Sequence, residues 1–313
     1  MKTLLTQSPE VAAEFIRRGG VVAFPTETVY GLGADVFNES AVRKIFEAKQ
    51  RPPDNPLIVH VGRVEQIGEL ARQIPGNAQK LIDTFFPGPL AVVLPKTERV
   101  PGMVTAGLDT VAVRMPSPTI AREFLRACAT PVAAPSANLS GRPSPTTWQA
   151  VVEDLDGRID CVLQSDPTVI GIESTVVDCT SEIPVLLRKG GVPLERLREV
   201  VGEVKEFTFD QSNEARSPGL RHTHYSPDAA IVIVQPGEAI AASAADGFIG
   251  LQRRADEFGT TLVCANADAY ARELFEFFRE CDRRGIERII CEAVPEEGIG
   301  AALMDRIRRA ADR

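Results

Sequence analysis

The sequence has no long apolar run. None of its hydrophobic stretches approaches the roughly 20 residues that a membrane-spanning helix needs. The first eight residues also lack the apolar core of a secretory signal. We therefore expect a cytoplasmic protein that does not enter a membrane.

Metal-binding and disulfide patterns are absent as well. The six cysteines are scattered along the chain, and no two form a Cys-x-x-Cys pair. This spacing favours reduced, buried thiols over disulfides or zinc ligands. Histidine is scarce, with His60, His222 and His224 as its three occurrences. The last two stand two residues apart without a third nearby ligand, so we predict no metal site.

Several catalytic and cofactor-binding motifs are also missing. No Gly-x-x-x-x-Gly-Lys-Ser/Thr loop occurs, and there is no Gly-x-Ser-x-Gly elbow. Residues 31–36 fail the dinucleotide fingerprint at its third glycine. The net charge of -8 argues against a large nonspecific nucleic-acid surface, although a local basic cleft with weak RNA contact is compatible with it.

Residues 49–60 contain the most informative pattern. Two cations, Lys49 and Arg51, stand where a predicted helix ends at Pro52, and an apolar strand containing His60 follows. Cations at a helix C-terminus commonly do no more than complement the helix dipole. They can equally bind phosphate, for which arginine supplies a planar fork and lysine a compact charge.

A second polar cluster follows the apolar run at 132–134. It holds Ser136, Asn138, Ser140 and Ser144 in a loop rich in glycine and proline. Each of these could be a turn residue that bonds its own backbone. The preceding strand favours a binding role, because ligands of α/β proteins collect beyond the carboxyl ends of strands.

The hydrophobic pattern predicts an α/β protein with two domains. Apolar strand-like runs alternate with amphipathic helices through residues 1–206, and residues 229–313 repeat that alternation on a smaller scale. The second unit is predicted to be a small Rossmann-like parallel-sheet domain without a dinucleotide. Residues 207–228 have linker composition, and we expect this linker, with His222, His224 and Tyr225, to cover a ligand.

The motifs of the first domain resemble those of the YrdC-like threonylcarbamoyl-AMP synthases. The likeness runs through residues 24–32, 49–60, 86–90, 106–115, 133–138 and 171–176. The linker motif at 221–227 and the second domain resemble the long, two-domain form of that family. The resemblance implies a twisted-sheet YrdC-like N-terminal domain with a large basic cavity.

The resemblance also implies a reaction and its partners. L-threonine, bicarbonate or carbon dioxide, and ATP would give threonylcarbamoyl-AMP and pyrophosphate. The product would pass to the downstream machinery that makes t6A at position 37 of tRNA. Mg²⁺ is expected to accompany ATP, although no carboxylate cage for it is visible in the sequence.

Site residues follow from the same resemblance, motif by motif. The threonine site would be lined by Thr28, His60, Arg114, Ala134 and Ser174. The nucleotide would be held by Arg51, Asn55, Thr110, Ser136, Ser144 and Arg188, with Tyr225 approaching from the linker. Lys49 and Asn138 would face phosphates, and Lys49 and Arg51 are the predicted catalytic cations. Arg114, at a strand end, would need a partner if it were buried, and a substrate carboxylate would supply one.

Two other functions are compatible with parts of this pattern. YrdC-like domains also occur in carbamoyl-adenylate-forming maturation factors, but the zinc-finger and acylphosphatase regions usual there are missing. A double-stranded RNA-binding or ribosome-maturation module could use the same basic cavity, although the acidic composition weighs against it.

Overall fold

A computed structural model describes residues 2–207 and 225–312. Residues 208–224 lie outside the described part, and with them the predicted cover formed by His222 and His224. Among the described residues no helix is long and apolar enough to cross a membrane.

The first region is a large mixed sheet with helices packed against it. In the part that the structure describes it has eleven strands, in the order β1-β8-β2-β3-β7-β4-β6-β5-β9-β10-β11. The strands are β1 (Leu4–Thr6), β2 (Val22–Phe24), β3 (Gly31–Asp35), β4 (Ile58–His60), β5 (Leu90–Pro95), β6 (Thr110–Arg114), β7 (Val132–Ala134), β8 (Cys161–Leu163), β9 (Thr175–Asp178), β10 (Val185–Arg188) and β11 (Lys205–Glu206). The helices are α1 (Pro9–Arg17), α2 (Glu39–Lys49), α3 (Ile67–Leu70), α4 (Gly76–Phe85), α5 (Thr119–Cys128), α6 (Trp148–Leu155) and α7 (Leu194–Val201).

Helix α2 shows how the local sequence delivers the cations to one place. Asn38 caps the helix by accepting a hydrogen bond from the Ala41 amide, and the apolar face buries Val42, Ile45 and Phe46. Gln50 then adopts a left-handed conformation, with φ of 53°, and the two prolines that follow prevent further helix. The chain therefore turns back toward β4.

The pairing of the central strands sets the register of the predicted site. Strand β4 is parallel to β6 and antiparallel to β7, and His60 lies opposite Arg114 on one side and Val132 on the other. A bridge between Gly31 and Ser136 ties the start of β3 to the segment after β7. Side chains that are far apart in the sequence thus meet at one end of these strands.

The second region is a smaller parallel sheet. Its strands are β12 (Ala230–Val234), β13 (Asp246–Gly250), β14 (Thr260–Val263) and β15 (Arg288–Glu292), in the order β12-β15-β13-β14. Its helices are α8 (Ala267–Arg283) and α9 (Ile299–Ala311). The α/β architecture of the two predicted domains is confirmed.

The two regions share a hydrophobic core along their boundary. Val29 and Ile172 of the first region pack in one buried cluster with Tyr225 of the linker and Phe275 of the second region. Gly171, with φ of 83°, lies so close to α8 that a Cβ there would meet the Arg272 Cα at 2.3 Å. A side chain at this position would push the two regions apart.

Candidate functional site

A cavity of about 690 Å³, its mouth included, opens at the ends of the central strands. All five residues predicted to contact threonine line it: Thr28, His60, Arg114, Ala134 and Ser174. So do most of the residues predicted to contact the nucleotide: Arg51, Ser136, Asn138, Ser144, Arg188 and Tyr225. We name the two groups after their predicted ligands and refer to the first as the threonine end and to the second as the nucleotide end.

Arg114 is the buried cation of the threonine end, and the protein already provides a carboxylate for it. Its Nη2 lies 2.9 Å from Glu27 Oε2, and both side chains are buried. Its Nη1 donates to Thr28 Oγ1 at 2.8 Å, and its Nε donates to the Gly88 carbonyl at 3.3 Å. The partner that the sequence analysis expected from a substrate carboxylate is thus already supplied by Glu27. Sequence reasoning missed Glu27, although it lies in the motif at 24–32.

His60 lies in the sheet beside Arg114. Burial, and then the positive charge of Arg114, lower the pKa of His60 to about 3, so the ring is neutral at physiological pH. The ring meets Phe24 edge to face, with centroids 5.5 Å apart. Its Nδ1 is buried and has no hydrogen-bond partner among the described residues. A neutral imidazole with an open nitrogen can bind a polar substrate group.

Unsatisfied polar atoms are concentrated around this cavity. Of ten buried side-chain atoms without a hydrogen bond in the described structure, six belong to Glu27, Arg51, Asn55, His60 and Arg114. The Arg114 Nη2 counts among them because its close approach to Glu27 is not aligned as a hydrogen bond. Buried polar groups are normally satisfied, so such a cluster marks where a ligand supplies the missing partners.

Lys49 is placed differently from its prediction. It does not line the cavity. Its Nζ is buried behind the loop and donates to the backbone carbonyls of Ser136 and Asn138, each at 2.6 Å. Burial, and then the charge of Arg51, lower the pKa of Lys49 well below its usual value. Lys49 therefore holds the loop, whereas Arg51 faces the cavity.

Arg51 remains charged despite its burial, which lowers its pKa to about 10. Its Nη2 donates to the Asn55 carbonyl at 3.2 Å, which closes the turn after α2. Asn55 is buried beside the cavity, although it does not line it, and neither atom of its amide has a partner in the described structure. Thr110, half-buried at the start of β6, lies outside the cavity lining.

The loop after β7 is built largely from its own hydrogen bonds. Ser136 Oγ donates to Asn138 Oδ1 at 2.6 Å, and Asn138 Nδ2 donates to the carbonyls of Leu139 and Arg142 at 2.7 and 2.8 Å. Ser136 and Asn138 therefore do stabilise the turn, as the turn interpretation predicted. Both residues nevertheless line the cavity, so the loop is a shaped wall of it.

Ser144 is held by a residue that sequence reasoning did not single out. Its Oγ donates to Glu173 Oε1 at 2.6 Å, and Glu173 Oε2 accepts from Arg306 Nε at 2.7 Å. Burial alone would raise the pKa of Glu173, but Arg306 and Arg188 outweigh it and lower that pKa below its usual value. Arg188 in turn donates to the Ser174 carbonyl at 3.0 Å and to its hydroxyl at 3.1 Å. No sequence signal for Arg306 exists, because it stands in an ordinary helical pattern 133 residues from its partner.

Tyr225 connects the cavity to the second region. It is buried, has a left-handed φ of 68°, and stacks on Phe275 with ring centroids 5.3 Å apart. The Arg306 guanidinium lies 5.3 Å from the centre of the Tyr225 ring. The amide of Ser226, the next residue, donates to the Gly141 carbonyl at 2.9 Å. The nucleotide end is therefore completed by the second region.

The fold and the cavity define a class: a two-domain α/β protein whose ligand site lies at strand ends in the large domain and is closed by the small one. Two family models match the chain in sequence. One, described as "Telomere recombination", matches residues 14–190, and the other, "Threonylcarbamoyl-AMP synthase, C-terminal domain", matches residues 192–312.

Known proteins match over nearly the full length. The threonylcarbamoyl-AMP synthase of Pyrococcus abyssi is 44% identical over 96% of this chain and 93% of that protein, and that of Bacillus subtilis is 42% identical over 98% and 94%. The structure of P. abyssi Sua5 complexed with L-threonine has a TM-score of 0.90 and 42% identity, and covers 99% of this chain and 98% of the other. A structure of T. kodakarensis HypF, 24% identical, shares the fold of the first region alone, with a TM-score of 0.52.

The chain belongs to the threonylcarbamoyl-AMP synthase family in its long, two-domain form. The predicted family and enzyme class are confirmed, and the alternative of a pure RNA-binding module is not favoured. Shorter relatives also exist. A putative threonylcarbamoyl-AMP synthase of Mycobacterium tuberculosis matches 60% of this chain over 86% of its own length.

Proposed function

We propose that this cavity joins L-threonine, bicarbonate or carbon dioxide, and ATP into threonylcarbamoyl-AMP and pyrophosphate, for t6A modification of tRNA. The observation that carries the proposal is that one cavity brings a buried threonine end and a cationic nucleotide end face to face. The P. abyssi relative complexed with L-threonine supports the assignment of the first end.

At the threonine end, the Arg114 guanidinium faces the substrate carboxylate while Glu27 and Thr28 hold it in place. An arginine fixed in this way loses little side-chain entropy when the substrate binds. The open His60 Nδ1 is available for a polar group of the substrate. The substrate amine is then directed toward the nucleotide end.

The bond-forming step needs alignment more than a protein nucleophile. The threonine amine first bonds to the carbon of carbon dioxide and loses a proton to give a carbamate, or bonds to the carbon of bicarbonate with loss of water. A carbamate oxygen then attacks the α-phosphorus of ATP, and the bond from that phosphorus to the bridging oxygen of the β-phosphate breaks, so that pyrophosphate leaves. Both reactants are anionic, so fixed cations that neutralise and align them lower the barrier.

Arg51 and Arg188 are the cations placed for that neutralisation. Ser136, Asn138 and Ser144 form the loop wall against which the nucleotide would lie. Lys49 contributes from behind by fixing the loop through two backbone carbonyls. The predicted catalytic role of Lys49 thus becomes a positioning role in this proposal.

Mg²⁺ is proposed to bind to the phosphate oxygens of ATP and to arrive with the nucleotide, without a set of protein carboxylate ligands of its own. Among residues 2–207 and 225–312, no group of three His, Cys, Asp or Glu side chains could hold a metal ion. Glu173, which lines the cavity, is already bonded to Ser144 and Arg306. Magnesium would supply neutralisation of the phosphate charge, as is usual where substrate phosphates are ligands.

The proposed reaction is tested by incubating the purified full chain with ATP, bicarbonate, Mg²⁺ and L-threonine, and measuring pyrophosphate and threonylcarbamoyl-AMP by chromatography. Pyrophosphate release that requires threonine, with an equal amount of the adenylate, supports the proposal. Release without threonine, or no release, would reject it. Omitting Mg²⁺ tests the metal separately.

A further inference from the structure

A fully buried cation of the second region, Arg306 on α9, reaches into the first region. Its Nε donates to Glu173 Oε2 at 2.7 Å, and its Nη2 donates to the Lys189 carbonyl at 2.8 Å. The opposite oxygen of Glu173 accepts from Ser144 Oγ at 2.6 Å. An unbroken chain of hydrogen bonds thus leads from the small domain to a hydroxyl at the cavity wall.

We propose that Arg306 is a positioning residue of the nucleotide site: through Glu173 it orients the Ser144 hydroxyl, so that the small domain sets the affinity for the nucleotide. The inference rests on the proposed function, which assigns this end of the cavity to ATP. It predicts a selective effect, because in the described structure the hydrogen bonds of Arg306 go to Glu173, Asp305 and Lys189 and none goes to a residue of the threonine end.

Charge explains why Glu173 needs such a partner. Glu173 is a buried carboxylate that lines a cavity meant for a polyanion. Unpaired, it would repel phosphate strongly in this low-dielectric setting. Arg306 balances the negative charge of Glu173 by binding one carboxylate oxygen. The other oxygen of Glu173 accepts the hydrogen bond from Ser144 and so fixes that hydroxyl. The pair accordingly provides an acceptor for Ser144 without net negative charge.

The simpler alternative is that Arg306 only joins the domains. The chain offers a more exposed control for this. Arg283 on α8 pairs with Glu276 and Glu280 on its own helix. It also pairs with Glu153 on α6 across the same boundary, at 3.1 Å. Both of those side chains are about 40% exposed. Neither lines the cavity. A pure joining role would make both pairs matter only for stability.

The experiment compares Arg306→Met/Glu173→Met with Arg283→Met/Glu153→Met in the full chain. Replacing both members removes the buried Glu173 carboxylate together with its cation. Asp305, the other ionic partner of Arg306, keeps Arg309 at 3.0 Å, so the first variant is expected to fold. Calorimetric titration measures the Kd of α,β-methylene-ATP and, separately, of L-threonine, and thermal denaturation reports folding. Ser144→Ala, alone and combined with Arg306→Met/Glu173→Met, completes a double-mutant cycle.

We expect Arg306→Met/Glu173→Met to raise the nucleotide Kd about tenfold, the upper range for one buried hydrogen bond, and the threonine Kd by less than about twofold. Ser144→Ala should give a similar rise, and the combined variant no more than either. The control pair should change neither Kd. The single substitution Arg306→Lys, which keeps the charge near Glu173, should retain most of the wild-type affinity for the nucleotide.

Three results would overturn the proposal: unchanged nucleotide affinity in the folded Arg306→Met/Glu173→Met protein, equal losses for both ligands, or additive effects with Ser144→Ala. An Arg306→Lys protein that melts like the wild type but binds the analogue as weakly as the pair variant would also overturn it. The titration needs no turnover. If the wild type binds the analogue but makes no threonylcarbamoyl-AMP, the proposed function fails while the role of Arg306 is still decided.

Discussion

The two ends of the cavity are built in different ways. The threonine end is made within the first region, where Arg114 is fixed by Glu27, Thr28 and a backbone carbonyl. The nucleotide end depends on more than the first region, because Tyr225 of the linker lines it and Arg306 of the second region supports it through Glu173. The described side chains of the threonine end thus come from one region, whereas those that form and support the nucleotide end come from more than one.

This difference suggests a division of labour. A small substrate with one carboxylate can be recognised by a rigid, dry set of side chains. A larger anionic nucleotide must enter and leave, and a wall held from another domain can yield without disturbing the threonine end.

The largest effect should follow from breaking the threonine end. Arg114→Ala leaves the buried Glu27 carboxylate without its cation, which costs roughly 3–5 kcal/mol of unfolding free energy. It should also weaken threonine binding by about 2–3 kcal/mol through the lost charged contact. Chemical denaturation and calorimetric titration measure the two quantities. Equal weakening of threonine and ATP would contradict the separation of the two ends.

Arg51→Ala tests the nucleotide end from within the first region. Because Arg51 faces the cavity, we expect turnover to fall by about 100-fold or more, as when one group that stabilises transition-state charge is removed. Stability should fall by less than about 1.5 kcal/mol, the net value of one hydrogen bond. Single-turnover pyrophosphate release checks the first point. A variant with wild-type release at saturating substrate would remove Arg51 from the mechanism.

Lys49→Met should show the opposite balance, since Lys49 lies behind the loop. Two buried carbonyls lose their donor, at a cost of roughly 1–3 kcal/mol each. The unfolding free energy should therefore fall markedly, and the nucleotide Kd should rise as the loop loosens. If Lys49→Met kept full stability but lost turnover, Lys49 would contact the substrate directly and its placement behind the loop would be wrong.

The low pKa of His60, at the threonine end, predicts a smaller and pH-dependent effect on the unfolding free energy. Its folded pKa of about 3 lies below the ordinary value of 6.5, so below pH 6.5 the unfolded chain binds more protons than the folded one. The contribution of neutral His60 to the unfolding free energy is thus present above pH 6.5 and is lost as the pH falls toward 3. Between pH 6.5 and 5 the loss should reach about 1.6 kcal/mol.

Denaturation of the wild type and of His60→Asn at both pH values isolates this contribution, because asparagine does not titrate there. The wild type should lose more stability than the variant. Identical losses in both proteins would show that His60 is accessible to protons in the folded state.

Much of the fold was predictable because its signals are local. The prolines after α2 and the apolar face of that helix predict a helix over 39–49, and the apolar runs predict strands over 57–61, 90–94, 111–114 and 132–134. Helix α2 and the strands β4 to β7 lie within about two residues of these ranges. Short or glycine-rich elements escaped notice. Strand β3, Gly31–Asp35, carries two glycines, and α6 begins with Trp148 directly after a proline-rich loop, so neither shows a clean period.

The site was predictable where a motif names a residue, and not where a partner comes from far away. Arg114 stood out at a strand end, but its pairing with Glu27 depends on how the segment after β2 folds back over β6. The sequence shows that Lys49 is a cation, but not that its side chain binds the carbonyls of the loop after β7 instead of facing the cavity. Arg306 could be found only from the packing of the two domains.

The most direct test of the two-ended cavity removes one hydroxyl from each end. Thr28→Val and Ser144→Ala are both buried and conservative in size, and each is titrated with L-threonine and with α,β-methylene-ATP. We predict that Thr28→Val weakens threonine binding by about fivefold or more and leaves the nucleotide unchanged, while Ser144→Ala does the reverse. If both variants weakened both ligands to the same extent, the cavity would be a single undivided site, and its division into a threonine end and a nucleotide end would be wrong.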